Sequence, residues 1–140
     1  MKSQQGLVVW MIWGSLLFAL TVYAFIGLQA GELGPSPETS TLINILTLVG
    51  ALSILLGFVV KHLFVTVPIA KGNYDPTKSD DFGKYLAAMI IAWALTESVG
   101  VFGLVARLTG QANPKTFLAF TGIAAFGMLC HRPVHLKPSL

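Results

Sequence analysis

Charged residues are scarce in this chain of 140 residues, where Lys, Arg, Asp and Glu make up only 11% of the sequence. Soluble domains average about 25%. Hydrophobic residues make up 54% of the sequence, and its mean hydropathy is +0.74. The composition therefore predicts an integral membrane protein. The connections between the apolar stretches are too short to hold a separate soluble domain.

Several classes of functional group are also absent. Cys130 is the only cysteine, so no intramolecular disulfide can form. The sequence has no phosphate-binding loop, no paired carboxylates and no nucleophile beside a general base. We therefore expect no enzyme, and at most a non-catalytic subunit of a larger membrane enzyme complex. The formal charge of +3 is assigned to topology signals at the membrane surface, and no nucleic-acid partner is expected.

Four long apolar stretches are present, and a helix of about 20 such residues can cross a bilayer. They predict helices at residues 6–28, 41–67, 82–108 and 114–131. Only helices and closed barrels satisfy their backbone hydrogen bonds in lipid. We therefore expect an all-α fold, a bundle of four transmembrane helices that forms a single membrane domain over residues 1–140.

Basic residues predict the orientation of this bundle. With four spans, one side carries seven lysines and arginines, and the other side carries Arg107 and Lys115. The seven are Lys2, Lys61, Lys71, Lys78, Lys84, Arg132 and Lys137. Because basic residues concentrate on the cytoplasmic side, both termini are predicted to be cytoplasmic. The expected location is a bacterial inner membrane.

Glu97 interrupts the third apolar stretch close to its middle. A carboxyl group at this depth is costly by a few kcal/mol or more, so it commonly marks a functional site. No basic residue is expected at the same depth, so we predict that Glu97 is mostly protonated near neutral pH. Such a group can bind a proton or a cation, or it can serve only as a hydrogen-bonding anchor between helices. The residues alone leave both interpretations open.

Small residues predict where helices approach closely. Ala88, Ala92, Thr96 and Gly100 recur every four residues along the third stretch, next to Glu97. Ser53 and Gly57 form a similar pair on the second stretch. In lipid, helices associate through close backbone packing at small residues. These positions are therefore predicted to be helix-packing sites.

The segment Ala94-Leu-Thr-Glu-Ser-Val-Gly-Val-Phe-Gly-Leu-Val-Ala106 resembles the carboxylate helix of the rotary ATP synthase proteolipid, subunit c. The resemblance covers about a tenth of the chain. It implies ion translocation, with Glu97 as the proton or ion site and with Ser98 and Thr96 as neighbouring ligands. The sodium-binding branch of that family has a glutamine on the preceding helix and a tyrosine where Phe102 stands. Both are missing here, so the resemblance favours H⁺ over Na⁺. Because so few polar groups cannot form a pathway through the membrane, we also expect a homo-oligomer or a complex with other membrane subunits.

Two histidines suggest a different kind of functional site. His62 and His131 come near the ends of their predicted helices and, as a pair, would be able to ligate a haem b in a membrane anchor. Cys130, His131 and His135 also lie close in sequence, but their spacing matches no zinc signature. Interfacial polar residues explain these histidines more simply. No cofactor or metal is therefore expected.

Overall fold

The computed structural model describes residues 2–30 and 39–133, and every regular element within these ranges is helical. The helices are α1 (Lys2–Gln29), α2 (Thr39–Lys61), α3 (Val67–Ala70), α4 (Ser79–Leu108) and α5 (Pro114–Cys130), with a π-helical segment at His62–Thr66. The predicted all-α class is confirmed for these residues. The predictions for His135 and Lys137 lie outside the described residues.

Three long apolar helical segments are found within the described ranges. Gln4–Gln29, Thr41–Ala70 and Ser79–Leu108 are each long and apolar enough to cross a membrane. The second comprises most of α2, the π-helical segment and α3. With 17 residues, α5 is shorter. At 1.5 Å per residue it reaches only about 25 Å, against about 30 Å of hydrocarbon.

Helix α4 is the centre of the bundle, because α2, α5 and α1 all pack on it. Gly50 and Gly57 of α2 face Val99 and Ala92 of α4, so these two helices run antiparallel. Helix α5 also runs antiparallel to α4. Along that interface, Gly103 meets Phe120 near one end and Thr96 meets Gly127 further on.

Helix α1 runs parallel to α4 on a different flank. Leu20 of α1 lies against Gly100, and the side chain of Arg107 reaches the carbonyls at the end of α1. Helices α1 and α5 also contact each other, and the indole Nε1 of Trp13 donates to the carbonyl of Met128 at 2.9 Å. Thus α1, α4 and α5 form a three-helix group, and α2 packs on α4 beside it.

Large apolar side chains cover the outside of the bundle. Phe18, Phe25 and Phe126 are 68%, 64% and 69% exposed, and exposed leucines, isoleucines and valines follow on every long helix. A monomeric soluble protein rarely presents contiguous apolar patches of this kind. The same surface suits a hydrocarbon environment.

The π-helical segment is explained by Pro68. Proline has no N–H to donate and its ring crowds the carbonyl four residues earlier, which here belongs to Phe64. The backbone widens, and the N–H of Val67 bonds the carbonyl of His62 five residues before it. The hydroxyl of Tyr74, on the following loop, donates to the carbonyl of Phe64. Burial, aided by the nearby charge of Asp81, raises the pKa of Tyr74 and keeps this hydroxyl a donor.

Capping residues fix the start of α5 and the end of α4. Asn113 caps α5, because its side-chain oxygen accepts from the N–H of Thr116 at 2.8 Å, and Pro114 takes the first helical position. Helix α4 ends before Gly110, whose φ of 73° lies in the left-handed region that glycine adopts easily. Helix α4 begins at Ser79, and Lys78 before it makes no side-chain capping bond.

Arg107 joins the end of α1 to the loop that follows α4. Its side chain is 5% exposed and donates to three carbonyls: Nε to Gly27 at 3.0 Å, Nη2 to Ala30 at 2.7 Å and Nη1 to Ala112 at 3.3 Å. Two of these acceptors lie at the C-terminus of α1, where the helix dipole favours a cation. The sequence assigned Arg107 only to a topology signal, but it also has a structural role.

Candidate functional site

Glu97 lies in the interior of α4 and is half-buried against α1. The hydroxyl of Tyr23 donates a hydrogen bond to its Oε1 at 3.0 Å. No described residue forms an ion pair with Glu97, and the ion pair between Lys84 and Asp81 lies elsewhere, near the start of α4. The carboxyl group of Glu97 is therefore bonded to a neutral phenol rather than to a base.

Tyr23 was not expected at this site. In the sequence it lies towards the end of the first apolar stretch, the position at which interfacial aromatics are common. Helix α1, however, continues to Gln29 and runs parallel to α4, so Tyr23 lies beside Gly100 and reaches Glu97. Nothing in the local sequence of either helix indicates this register.

Thr96 and Ser98 flank Glu97 but bond within their own helix. Thr96 Oγ1 donates to the carbonyl of Ala92 and Ser98 Oγ to that of Leu95, each at 2.8 Å. Successive residues of an α-helix point about 100° apart, since 3.6 residues make a turn. Thr96 accordingly faces α2 and α5, where it contacts Gly57 and Gly127, whereas Glu97 faces α1. No described contact brings the two hydroxyl groups to the carboxylate.

The predicted packing residues all lie in the interior. Ala88, Ala92 and Gly100 are buried on α4, and Ser53 and Gly57 are buried on α2. A Cβ added at Gly57 would lie 3.2 Å from the carbonyl oxygen of Ala92, and one at Gly100 would lie 2.4 Å from Leu20 Cδ2. Gly103 was not among the predicted residues, although a Cβ added there would lie 2.5 Å from Phe120 Cβ.

The two histidines occupy different environments. His62 is exposed on the π-helical segment, whereas His131 is fully buried directly after α5. The His131 ring packs on Phe58, with 4.5 Å between the ring centroids. None of its described contacts is to His62. Within residues 2–30 and 39–133 no three of His, Cys, Asp and Glu are grouped so that they would hold a metal ion. Cys130 is exposed and outside the interior.

The described part of the chain is helical, and three of its helices are apolar enough to cross a membrane. The half-buried carboxyl group of Glu97 lies inside the third of these helices. Comparison of the chain with protein families, with curated proteins and with solved structures gives no match.

Proposed function

We propose that this chain is a small multi-pass membrane subunit in which Glu97 binds and releases a proton during ion translocation. The observation that carries the proposal is the environment of Glu97: a half-buried carboxyl inside an apolar helix, bonded to the neutral Tyr23 hydroxyl. A salt bridge would favour the ionised carboxylate strongly. A neutral donor leaves both the charged and the protonated form accessible, as a proton carrier requires.

The surroundings support H⁺ over Na⁺. A hard cation needs several oxygen ligands at one point. Thr96 and Ser98 direct their hydroxyl protons to carbonyls of their own helix, and only Tyr23 contacts the carboxylate. A proton needs no such set of ligands, because the carboxyl group holds it through its own O–H bond, whereas one carboxylate beside one phenol makes a poor cation site.

One carboxyl group in one subunit does not make a pathway through a membrane. Glu97 lies on the edge of α4 beside α1 and is only half-buried, so a neighbouring subunit can approach it. The proposal therefore includes a homo-oligomer or a complex with other membrane subunits. It retains four spans, with both termini cytoplasmic in a bacterial inner membrane, and the likeness of the Glu97 segment to subunit c.

The Tyr23 bond also favours a second candidate function. A structural or assembly subunit would use Glu97 only as an anchor that joins α4 to α1 through this hydrogen bond. Interhelical hydrogen bonds in membranes contribute about 0.6–2 kcal/mol, which is enough to affect assembly. The two functions differ in whether Glu97 must ionise.

Carbodiimide labelling followed by Glu97→Gln tests the proposal. A hydrophobic carbodiimide reacts with protonated carboxyl groups in the apolar phase, so Glu97 should be modified in bilayers near neutral pH. Asp80 and Asp81, in the first turn of α4, are the internal control. Mass spectrometry of the labelled chain identifies the modified residue. Modification of the two aspartates with Glu97 untouched would contradict the proposal.

Glu97→Gln keeps the shape and a hydrogen-bonding amide but removes ionisation. For a proton carrier, the complex should assemble normally in its native membrane and lose proton-coupled activity. For a structural anchor, both assembly and activity should persist. Full activity in the glutamine variant would leave only the structural function.

A further inference from the structure

His131 is enclosed at the point where α5 ends, well inside the bundle. Helix α5 is much shorter than α4, so its last turn stops beside Trp93 and Ala92 in the interior of α4. The indole of Trp93 donates to the carbonyl of His131 at 2.9 Å. Lys61 Nζ donates to the carbonyl of Cys130 at 2.7 Å. Two side chains thus fix the backbone that carries a fully buried imidazole.

The ring of His131 has no hydrogen-bond partner of its own. Its Nδ1 and Nε2 are both buried, and neither bonds any protein atom in the described part of the chain. A neutral imidazole carries one donor and one acceptor. Buried polar atoms of this kind are normally satisfied by the protein or by an ordered water molecule.

Three polar atoms converge beside Gly57, which faces Nε2 of the His131 ring from α2. The position of a Cβ on Gly57 would be 3.2 Å from the carbonyl oxygen of Ala92, 3.3 Å from Thr96 Oγ1 and 3.6 Å from His131 Nε2. The Thr96 hydroxyl donates to Ala92, so its lone pairs are available to accept. Thr96 Oγ1 and His131 Nε2 lie near the same point but do not bond each other directly. Water molecules commonly bridge two polar atoms in this arrangement.

We propose that His131 Nε2, Thr96 Oγ1 and the carbonyl of Ala92 form an internal water-binding site beside Gly57. The water links Nε2 of the imidazole to the Thr96 hydroxyl and supplies one of the two hydrogen bonds that the ring lacks. The site is on the flank of α4 that faces α2 and α5, and Glu97 is on the flank that faces α1. It does not depend on Glu97 carrying a proton.

Among the described residues, the charged groups nearest in the chain or by contact are Lys61 of α2, whose Nζ bonds the carbonyl of Cys130, and the exposed Arg132, which directly follows His131. On α4 the facing residues are Ala92, Trp93 and Thr96, none of which titrates. Water held at Thr96 is one residue along α4 from Glu97.

Solid-state NMR in lipid bilayers tests this site through the imidazole of His131. The full chain carrying His62→Gln and His135→Gln retains His131 as its only histidine, so the ¹⁵N-histidine signals are unambiguous. We expect a magnetisation-transfer peak between water and the ring of His131. The peak should be lost in Gly57→Ala, whose methyl group would stand among the three polar atoms. It should persist in Gly50→Ala, a matched control on α2 whose added Cβ meets nothing closer than 3.6 Å.

Thr96→Val provides a second variant in case Gly57→Ala perturbs folding. Valine keeps the methyl group that contacts Gly127 and has a second methyl group in place of the hydroxyl. The water peak should therefore also be lost. Three results would overturn the proposal: no water contact in the parent chain, an unchanged peak in both variants, or ring shifts typical of a metal-bound imidazole.

Discussion

The hydroxyl of Tyr23 and the carboxyl of Glu97 are joined by a 3.0 Å hydrogen bond between two parallel helices, α1 and α4. These residues are far apart in sequence, and each is the other's only side-chain hydrogen-bond partner among the described residues. The bond places a neutral donor against an acid in an apolar setting. It therefore links the proposed proton site directly to the packing of α1.

Tyr23→Phe should separate the chemical and structural contributions of this bond. Phenylalanine keeps the ring and removes the donor, so assembly should weaken by only about 0.5–2 kcal/mol, the range for one interhelical hydrogen bond. Glu97 then loses the bond that stabilises its ionised form, so its carbodiimide reaction should extend to higher pH. The measurement is the pH profile of labelling in bilayers. An unchanged profile would show that the bond does not affect ionisation.

Alanine substitutions at three glycines should rank in a defined order. Gly103→Ala is predicted to destabilise most, because its Cβ would lie 2.5 Å from Phe120 Cβ, an atom next to the backbone that cannot move aside. Gly100→Ala should cost less, because the atom at 2.4 Å is the flexible end of Leu20. Gly122→Ala meets nothing within 4 Å and should gain up to about 1 kcal/mol from helix propensity.

Unfolding in mild detergent measures this order, and Gly100→Leu extends the series. Leucine cannot fit between Leu20 and Ala124, so this variant should disturb the bundle, whereas Leu108→Ile at the exposed end of α4 should not. Equal stability of Gly103→Ala and Gly122→Ala would show that α4 and α5 are further apart than described.

Arg107→Leu should destabilise the bundle by roughly 2–4 kcal/mol, because three buried carbonyls lose a charged donor. Arg107→Lys should recover only part of the loss, since an ammonium group cannot reproduce the guanidinium fork. Lys115→Gln is the matched control, because Lys115 is exposed and was predicted to lie on the same membrane side. Thermal unfolding measures all three variants. Equal effects of Arg107→Leu and Lys115→Gln would contradict the structural role.

Cysteine accessibility should test the orientation. In a Cys130→Ala background, Lys115→Cys should react with an impermeant maleimide in intact cells. Lys71→Cys, on the predicted cytoplasmic loop, should react only after the membrane is opened. Both lysines are exposed, so lack of reaction will not reflect burial. The reverse pattern would invert the predicted topology of the whole chain.

Local sequence patterns predicted the helices and identified Glu97 as the candidate site. They did not predict which residues of neighbouring helices meet. Apolar length identified the helical stretches, including the start of the last one at residue 114. The row of small residues at every fourth position, the ridge from Ala88 to Gly100, was only partly informative. Four residues turn a helix by about 400°, so each successive residue of the row is rotated by about 40° around the helix axis. Ala92 therefore faces α2, whereas Gly100 faces α1 and α5. The ridge spans two interfaces and misses Gly103.

The partners of Glu97, Arg107 and His131 depended on tertiary geometry. Tyr23 reaches Glu97 because α1 and α4 are parallel, and His131 is buried because α5 stops short of the end of α4. Arg107 bonds carbonyls of α1, which a count of charges cannot show. Burial of these side chains follows from how the helices align along one another, and no local motif encodes that alignment.

The central position of α4 has a consequence for biosynthesis. Helices α1 and α2 are made first, and neither has an extensive interface with the other in the described residues. In the proposed bilayer setting, they would enter the lipid as separate helices and remain unpaired until the ribosome has delivered α4. The first half of the chain then depends on the second half for its tertiary structure, and a nascent chain that ends before α4 should present two unassembled spans to quality-control proteases.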